Sequence, residues 1–233
     1  MTRNLYQRLD TIISATEPGG RLLSEPRLAE QLGVSRATLR ETMRTFEMQG
    51  RIRRRQGVGT FVVHPTKVIE SGLEVLESIE TLAERAGLHV SMGKLRVTSC
   101  EADDNLAEQL KIEVSSKLVC VSRVILADDY PVAFLIDKLP DKFLSNDEVN
   151  GGFSGSVLDL LLRRGSPLLG SSRCEIKAIA AEVAVARALD IQRGDAVLCF
   201  DSLLFTIEGE PIDYSLSYFL PGYFKFHVVR RVG

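Results

Sequence analysis

The sequence predicts an α+β chain of two unlike domains: a small N-terminal headpiece of helices with a two-stranded wing, then a larger antiparallel sheet carrying helices. Three observations predict it. Apolar residues recur at helical spacing through the first 50 positions. A β-branched, glycine-containing run at 52–63 reads as a hairpin. Beyond residue 88, strand-like runs alternate with acidic turns and short helical patterns.

In order, Leu5, Leu9, Ile12 and Ile13 share one face of a first helix. Leu28 and Leu32, four apart, mark a second, and Leu39, Met43 and Phe46 a third. Gly33 falls in the turn between the last two, Ser35 is suited to cap the third helix, and Gly50 to end it. Two short helices meeting at such a turn form a helix-turn-helix. With Leu39, Met43 and Phe46 facing inward, Arg36, Thr38, Arg40 and Arg44 remain outward, donors that reach phosphates and base edges in a DNA major groove. In the hairpin Ile52-Arg53-Arg54-Arg55-Gln56-Gly57-Val58-Gly59-Thr60-Phe61-Val62-Val63, the glycines permit positive φ at a tip that can lie on a sugar-phosphate backbone. Arg53, Arg54 and Arg55 are expected to supply the wing's charge.

Charge distribution supports this independently. Up to Pro65 there are eleven basic residues, all arginine, against six acidic ones; the remainder holds 18 against 25. The overall charge of −2 hides a basic reader fused to an acidic module. Arginine suits bidentate guanine or phosphate contacts better than lysine does.

At 233 residues and 45% hydrophobic content, the chain can bury one or two cores. No uninterrupted apolar stretch approaches the roughly 20 residues that span a bilayer, so a cytoplasmic, nucleoid-associated protein without membrane contact is expected. Cys100, Cys120, Cys174 and Cys199 are widely spaced and read as buried free thiols; His64, His89 and His227 show no ligand spacing. Neither a metal nor a cofactor is expected.

The domain boundary is placed near His64-Pro65-Thr66-Lys67, giving a DNA-binding domain over 1–65, a linker and hinge over 66–72 and a second domain over 73–233. Val75, Ile79, Leu82 and Ala83 form a helix stopped by Gly87, and Leu88 to Cys100 turns strand-like. The second domain carries a weak duplication. Ala107-Glu108-Gln109-Leu110, Leu118 to Val121, Ala127 to Pro131 and Leu139-Pro140 correspond to Ala186-Arg187-Ala188-Leu189, Val197 to Phe200, Glu208 to Pro211 and Leu220-Pro221. Each copy reads as a helix, a strand, an acidic turn and a return strand, so the two are expected to pair as halves of one antiparallel sheet with a pocket at the seam. Between them, Val157 to Leu162 form an apolar helix ended by Arg163-Arg164-Gly165 that can cover a sheet face.

Residues Leu22-Leu23-Ser24-Glu25, Gly33 to Glu41 and Arg55 to Val62 resemble the winged helix-turn-helix of the GntR family of bacterial transcription regulators. Arg123 with Ala127-Asp128 and Pro131-Val132-Ala133, and Gly209 to Ser215, resemble the UTRA effector domain of its HutC subfamily. The resemblance implies a chorismate-lyase-like UTRA fold, a homodimer on a palindromic operator in double-stranded DNA, and regulation, expected to be repression, by a small-molecule effector. It implies DNA contacts at Ser35, Arg36, Thr38 and Arg40 and at Gln56 and Gly57 of the wing. Where the family has arginine directly after the Ser-Glu pair, Pro26 stands and Arg27 follows, so the expected phosphate or base contact is either shifted by one residue to Arg27 or lost.

For the effector site, family members that sense phosphorylated amino sugars use an R-x-R pair, a glutamate after the hairpin proline and an S-x-Y element. Arg123 matches the first arginine, but Ile125 and Leu135 replace the second arginine and the glutamate, and no tyrosine follows Ser156 at that spacing. A smaller or more apolar anion is expected, held by Arg123 with Ser156, Asp213 and Tyr218 as hydrogen-bond partners. The alternative for Arg123 is an internal ion pair with Asp137 or Asp213. A lyase-like enzyme is the alternative for the whole C-terminal domain, but it offers no matched nucleophile and base, metal cluster or phosphate loop, so the chain is read as non-enzymatic. A DNA-binding dimer without an effector is the remaining alternative.

Overall fold

The computed structural model describes residues 2–55, 57–63, 68–145, 148–149, 153 and 155–232. Gln56 and the boundary residues 64–67 lie outside them. The headpiece consists of α1 (Thr2–Ala15), α2 (Glu25–Leu32), α3 (Arg36–Met48) and the hairpin β1 (Ile52–Arg55) and β2 (Gly59–Val62). Leu5, Leu9, Ile13, Leu28, Leu32, Leu39, Met43 and Phe46 form one core with Ile52 and Val62, as the helical spacing requires. Pro26 sits in the first turn of α2, where a missing N–H costs nothing.

The rest of the chain runs β3 (Ile69–Gly72), α4 (Ile79–Arg85), β4 (Val90–Glu101), α5 (Asp104–Leu110), β5 (Lys117–Ala127), β6 (Tyr130–Pro140), α6 (Val157–Arg164), β7 (Leu169–Ala180), α7 (Val183–Leu189), β8 (Ala196–Thr206), β9 (Pro211–Phe219) and β10 (Phe224–His227). The main sheet has six strands in the order β4-β5-β6-β9-β8-β7, every neighbouring pair antiparallel. The order reads the duplication directly. One copy supplies β4, β5 and β6 with α5 between the first two, the other β7, β8 and β9 with α7 in the matching place, and β6 meets β9 at the seam. Asp128 and Asp129, both at positive φ (48° and 63°), make the tight turn joining β5 to β6. On one face, α5 and α7 pack against Leu118, Leu203, Val197 and Tyr218. The other face is covered by α4, α6, β3 and β10 through two further cores.

Three expectations change. The stretch 66–72, read as a linker, contains β3, which pairs in parallel with β10, Phe224 opposite Ile69. Ile69 is 2% exposed and shares a core with Ile79, Leu82 and Phe219, so residues 69–72 are part of the effector half and no free tether. The helix expected from Val75 begins at Ile79; Ser78 caps it by accepting from the Thr81 N–H at 3.0 Å, and Val75 is exposed. Cys100 and Cys120, read as free thiols, form a disulfide between β4 and β5. Register explains the pairing: Cys100 lies opposite Leu118 and Cys120 opposite Thr98, diagonal neighbours on one sheet face. Cys199 is a buried free thiol as expected, whereas Cys174, free as well, is exposed on the edge strand β7.

Candidate nucleic-acid interface and effector site

The turn between α2 and α3 is set locally. Gly33 adopts φ +65° and its N–H satisfies the carbonyls at the end of α2, a conformation an L side chain rarely takes. Ser35 then starts α3, its hydroxyl accepting from the Thr38 N–H at 3.1 Å and meeting the Thr38 hydroxyl at 2.8 Å. Leu39, Met43 and Phe46 are fully buried, and Ser35, Arg36, Thr38, Arg40 and Arg44 are exposed together on the far side. Arg40 is 57% exposed and its Nε lies 2.8 Å from Glu25, which orients the guanidinium without removing it from solvent. Arg27, on α2, is exposed, and Gly57 is exposed at the wing tip with φ +75°. The structure thus brings Ser35, Arg36, Thr38 and Arg40 together on one exposed side of α3.

The wing arginines are placed differently from the expectation that they present charge to DNA. A strand alternates its side chains, so Arg53 and Arg55 face one way and Arg54 the other. Arg54 lies 3.3 Å from Glu25 and 3.4 Å from Glu47, against the headpiece helices. Arg53 is buried, its side chain 8% exposed, and Nη2 donates to the carbonyls of Leu189 and Asp190 at the C-terminus of α7. Those carbonyls have no partner within the helix, and the helix dipole makes that end negative, so Arg53 caps a helix of the other domain. Its guanidinium is 3.5 Å from the Asp190 carboxylate, with Arg55 3.6 Å from the same group, and both cations stand over the Tyr130 ring. Burial pulls the Arg53 pKa below the usual arginine value, and Asp190 opposes that pull. Gly50 lies in the same contact. A Cβ there would stand 2.0 Å from the Pro221 carbonyl, so only glycine lets the two backbones meet.

The effector-site candidates divide. Arg123 is 4% exposed in the middle of β5, and register puts it on the same sheet face as Leu135 and Ser217. Its Nη1 donates to Glu80 on α4 and to the Gly155 carbonyl at 2.8 Å. Asp137 and Asp213 flank it at the β6–β9 seam. Burial pushes the Asp137 carboxyl up to about 6 against the lowering pull of Arg123, and burial with the Asp137 charge holds Asp213 well above the usual carboxylate range. Asp213 also accepts from the Lys138 N–H at 3.2 Å. Ser156 is buried beside Gly155, where it caps α6 by accepting from the Asp159 N–H. Tyr218 is not part of this group. It pairs with Phe134 across β6 and β9 and faces α7 on the opposite side of the sheet, because residues 217 and 218 must point in opposite directions.

Sequence reasoning missed Glu80, the carboxylate that neutralises Arg123. Forty-three residues separate the pair, and a glutamate in the first turn of a helix is sufficiently explained by the helix dipole. Around one guanidinium the fold assembles three carboxyl groups, and Glu80 Oε2, Asp137 Oδ2 and Arg123 Nε are buried there without a partner among the described residues.

Two family models match the chain, "Bacterial regulatory proteins, gntR family" over residues 1–62 and "UTRA domain" over 85–225. The HTH-type transcriptional repressor NagR of Bacillus subtilis (strain 168) is 27% identical over 231 residues, 98% of this chain and 94% of that protein. The HTH-type transcriptional regulator Rv0792c of Mycobacterium tuberculosis is 29% identical over 218 residues, 90% of this chain and 77% of that protein. The crystal structure of PhnF from Mycobacterium smegmatis matches with a TM-score of 0.67 at 21% identity, over 98% of this chain and 100% of that one.

Proposed function

Because the chain belongs to the GntR family of bacterial regulatory proteins and carries a UTRA domain, we propose that it is a repressor binding a palindromic operator as a homodimer and released by a small anionic effector, with no catalytic role. The observation that carries the DNA half is the exposed face of α3, where capping and core packing leave Ser35, Arg36, Thr38 and Arg40 outward together. Relatives named as repressors support the sign of regulation. The DNA-binding unit is residues 1–65, and the effector unit takes in β3 as well as residues 73–233.

The pairing of Arg123 with Glu80 supports a release mechanism. A carboxylate or phosphate that takes Arg123 displaces Glu80, and α4 carries that displacement toward β3, because Ile69, Ile79 and Leu82 share one core. Burial and the Asp137 charge favour the protonated form of Asp213, and in that form it can donate to the incoming oxygen where an ionised carboxylate would repel it. The effector acts only through its different affinity for the two arrangements of headpiece and effector domain.

Selection of duplexes from a random pool tests the first part. It should recover an inverted repeat with half-sites about one helical turn, or a multiple of it, apart. Failure to enrich any sequence, together with no salt-sensitive binding of duplex DNA, rejects the reading. For the effector, a metabolite library titrated by thermal shift should show one anion whose effect is lost in Arg123→Ala and strengthened in Glu80→Gln; identical responses in all three proteins exclude the role of Arg123.

A further inference from the structure

The docked headpiece leaves a cavity of about 340 Å³ between itself and the effector domain. One wall comes from α3 and β1, the other from the loop before β8 and from the chain after β9. Ile52, Ile191 and Leu220 line it with apolar surface, while Arg44, Arg53 and Arg54 with Glu41, Glu47 and Asp195 bring both signs of charge to the same space. The size and the mixture of apolar wall with few polar groups are those of a small-molecule site.

Two features point to a ligand. Arg53 is more than nine-tenths buried and spends Nη2 on α7 and Asp190, but Nε and Nη1 have no hydrogen-bond partner among the described residues, and a buried donor left without one costs free energy. Glu47 and Asp195, from opposite domains, line the same cavity: burial, with Asp195 and Glu25, pushes the Glu47 carboxyl up to about 7 against the lowering pull of Arg54 and Arg44. The cavity therefore offers two buried N–H donors of Arg53 that its ion pair with Asp190 leaves without a hydrogen bond, carboxylates from both domains, and apolar surface.

We propose that this cleft is a second ligand site, separate from the one around Arg123, taking a small zwitterion with an apolar body: an α-amino acid of the leucine or phenylalanine kind. Its carboxylate pairs with Arg53, its ammonium relieves the Glu47–Asp195 repulsion, and its side chain lies on Ile191 and Leu220. Since each domain supplies part of the lining, the bound ligand favours the docked arrangement by mass action.

Isothermal titration of the full-length protein with L-leucine and L-phenylalanine tests this, with 4-methylpentanoate and 3-methylbutylamine as analogues lacking the ammonium and the carboxylate. Saturable binding of at least one amino acid is expected, with each of its truncated analogues weaker by at least about tenfold. Binding should be lost in Arg53→Met and in Ala196→Phe, which fills the cleft without altering its charges, and kept in Arg123→Ala. Thermal unfolding of each variant verifies that it is folded. The proposal is overturned by no saturable heat at about 10 mM of either amino acid, by an analogue binding as tightly as its amino acid, by binding that survives a folded Ala196→Phe or Arg53→Met, or by binding that disappears in Arg123→Ala.

Discussion

The arginines of α3 and those of β1 belong to the same small headpiece, yet they do opposite things. On α3 the hydrophobic face is complete without them, so Arg36 and Arg40 stay in water, open to an external anion. On β1 strand alternation sends Arg54 to Glu25 and Glu47 and turns Arg53 and Arg55 to Asp190 of the effector domain. The comparison teaches that a cationic run is informative only when the faces of its element are known. Arginine on a surface helix is left in solvent with or without an internal partner, whereas arginine between two packed units must find an internal one, because burial of an unpaired charge is expensive.

The largest expected effects break the comparison on the α3 side. Arg40→Ala and Arg36→Ala should each weaken operator binding by about 1 to 3 kcal/mol, Arg36→Ala with relaxed sequence preference, read by gel shift against matched and mismatched duplexes. Unchanged affinity in both would remove α3 as the reader.

On the β1 side, Arg53→Met removes the cap from Leu189 and Asp190, and global stability should fall by roughly 1 to 3 kcal/mol in urea unfolding. Operator affinity should change less than in the α3 variants; an equal or larger loss would return Arg53 to the DNA-contacting group.

A smaller effect separates capping from recognition. Ser35→Ala should cost about 1 kcal/mol of stability through the lost cap on α3, whereas Ser35→Asp should restore stability but not operator affinity, since a carboxylate caps the helix and repels phosphate. Equal operator affinity in Ser35→Asp and the wild-type protein would confine Ser35 to capping.

The smallest concerns pH. The Glu47 carboxyl titrates near 7 in the fold against an ordinary value of 4.5, so the folded state binds that proton more tightly than the unfolded chain does. Its contribution to stability is complete below 4.5 and is lost as the pH rises through about 7. The Tm should decline across that window, and Glu47→Gln should flatten the decline; an unchanged slope would locate the titration elsewhere.

Much was legible in the residues because the signals are local. The spacing of Leu28, Leu32, Leu39, Met43 and Phe46, with Gly33 and Ser35 between, specifies the helix-turn-helix through contacts within about one or two helical turns. The repeated helix–strand–turn–strand order likewise anticipated the paired halves of the six-stranded sheet. The disulfide and β3 were not legible: Cys100 and Cys120 are brought together by strand register, and β3 finds its partner 155 residues later at β10.

By itself the sequence determined which arginines face outward on α3, since helical periodicity, capping and the exclusion of charge from a core decide it. Only the tertiary structure decided where the remaining charges end. Arg123 closes on Glu80, Arg53 on the end of α7, and Tyr218 falls on the far side of the sheet from Arg123. Electrostatic partners are selected by distance in space after the strands have registered, and a linear pattern carries no record of that distance.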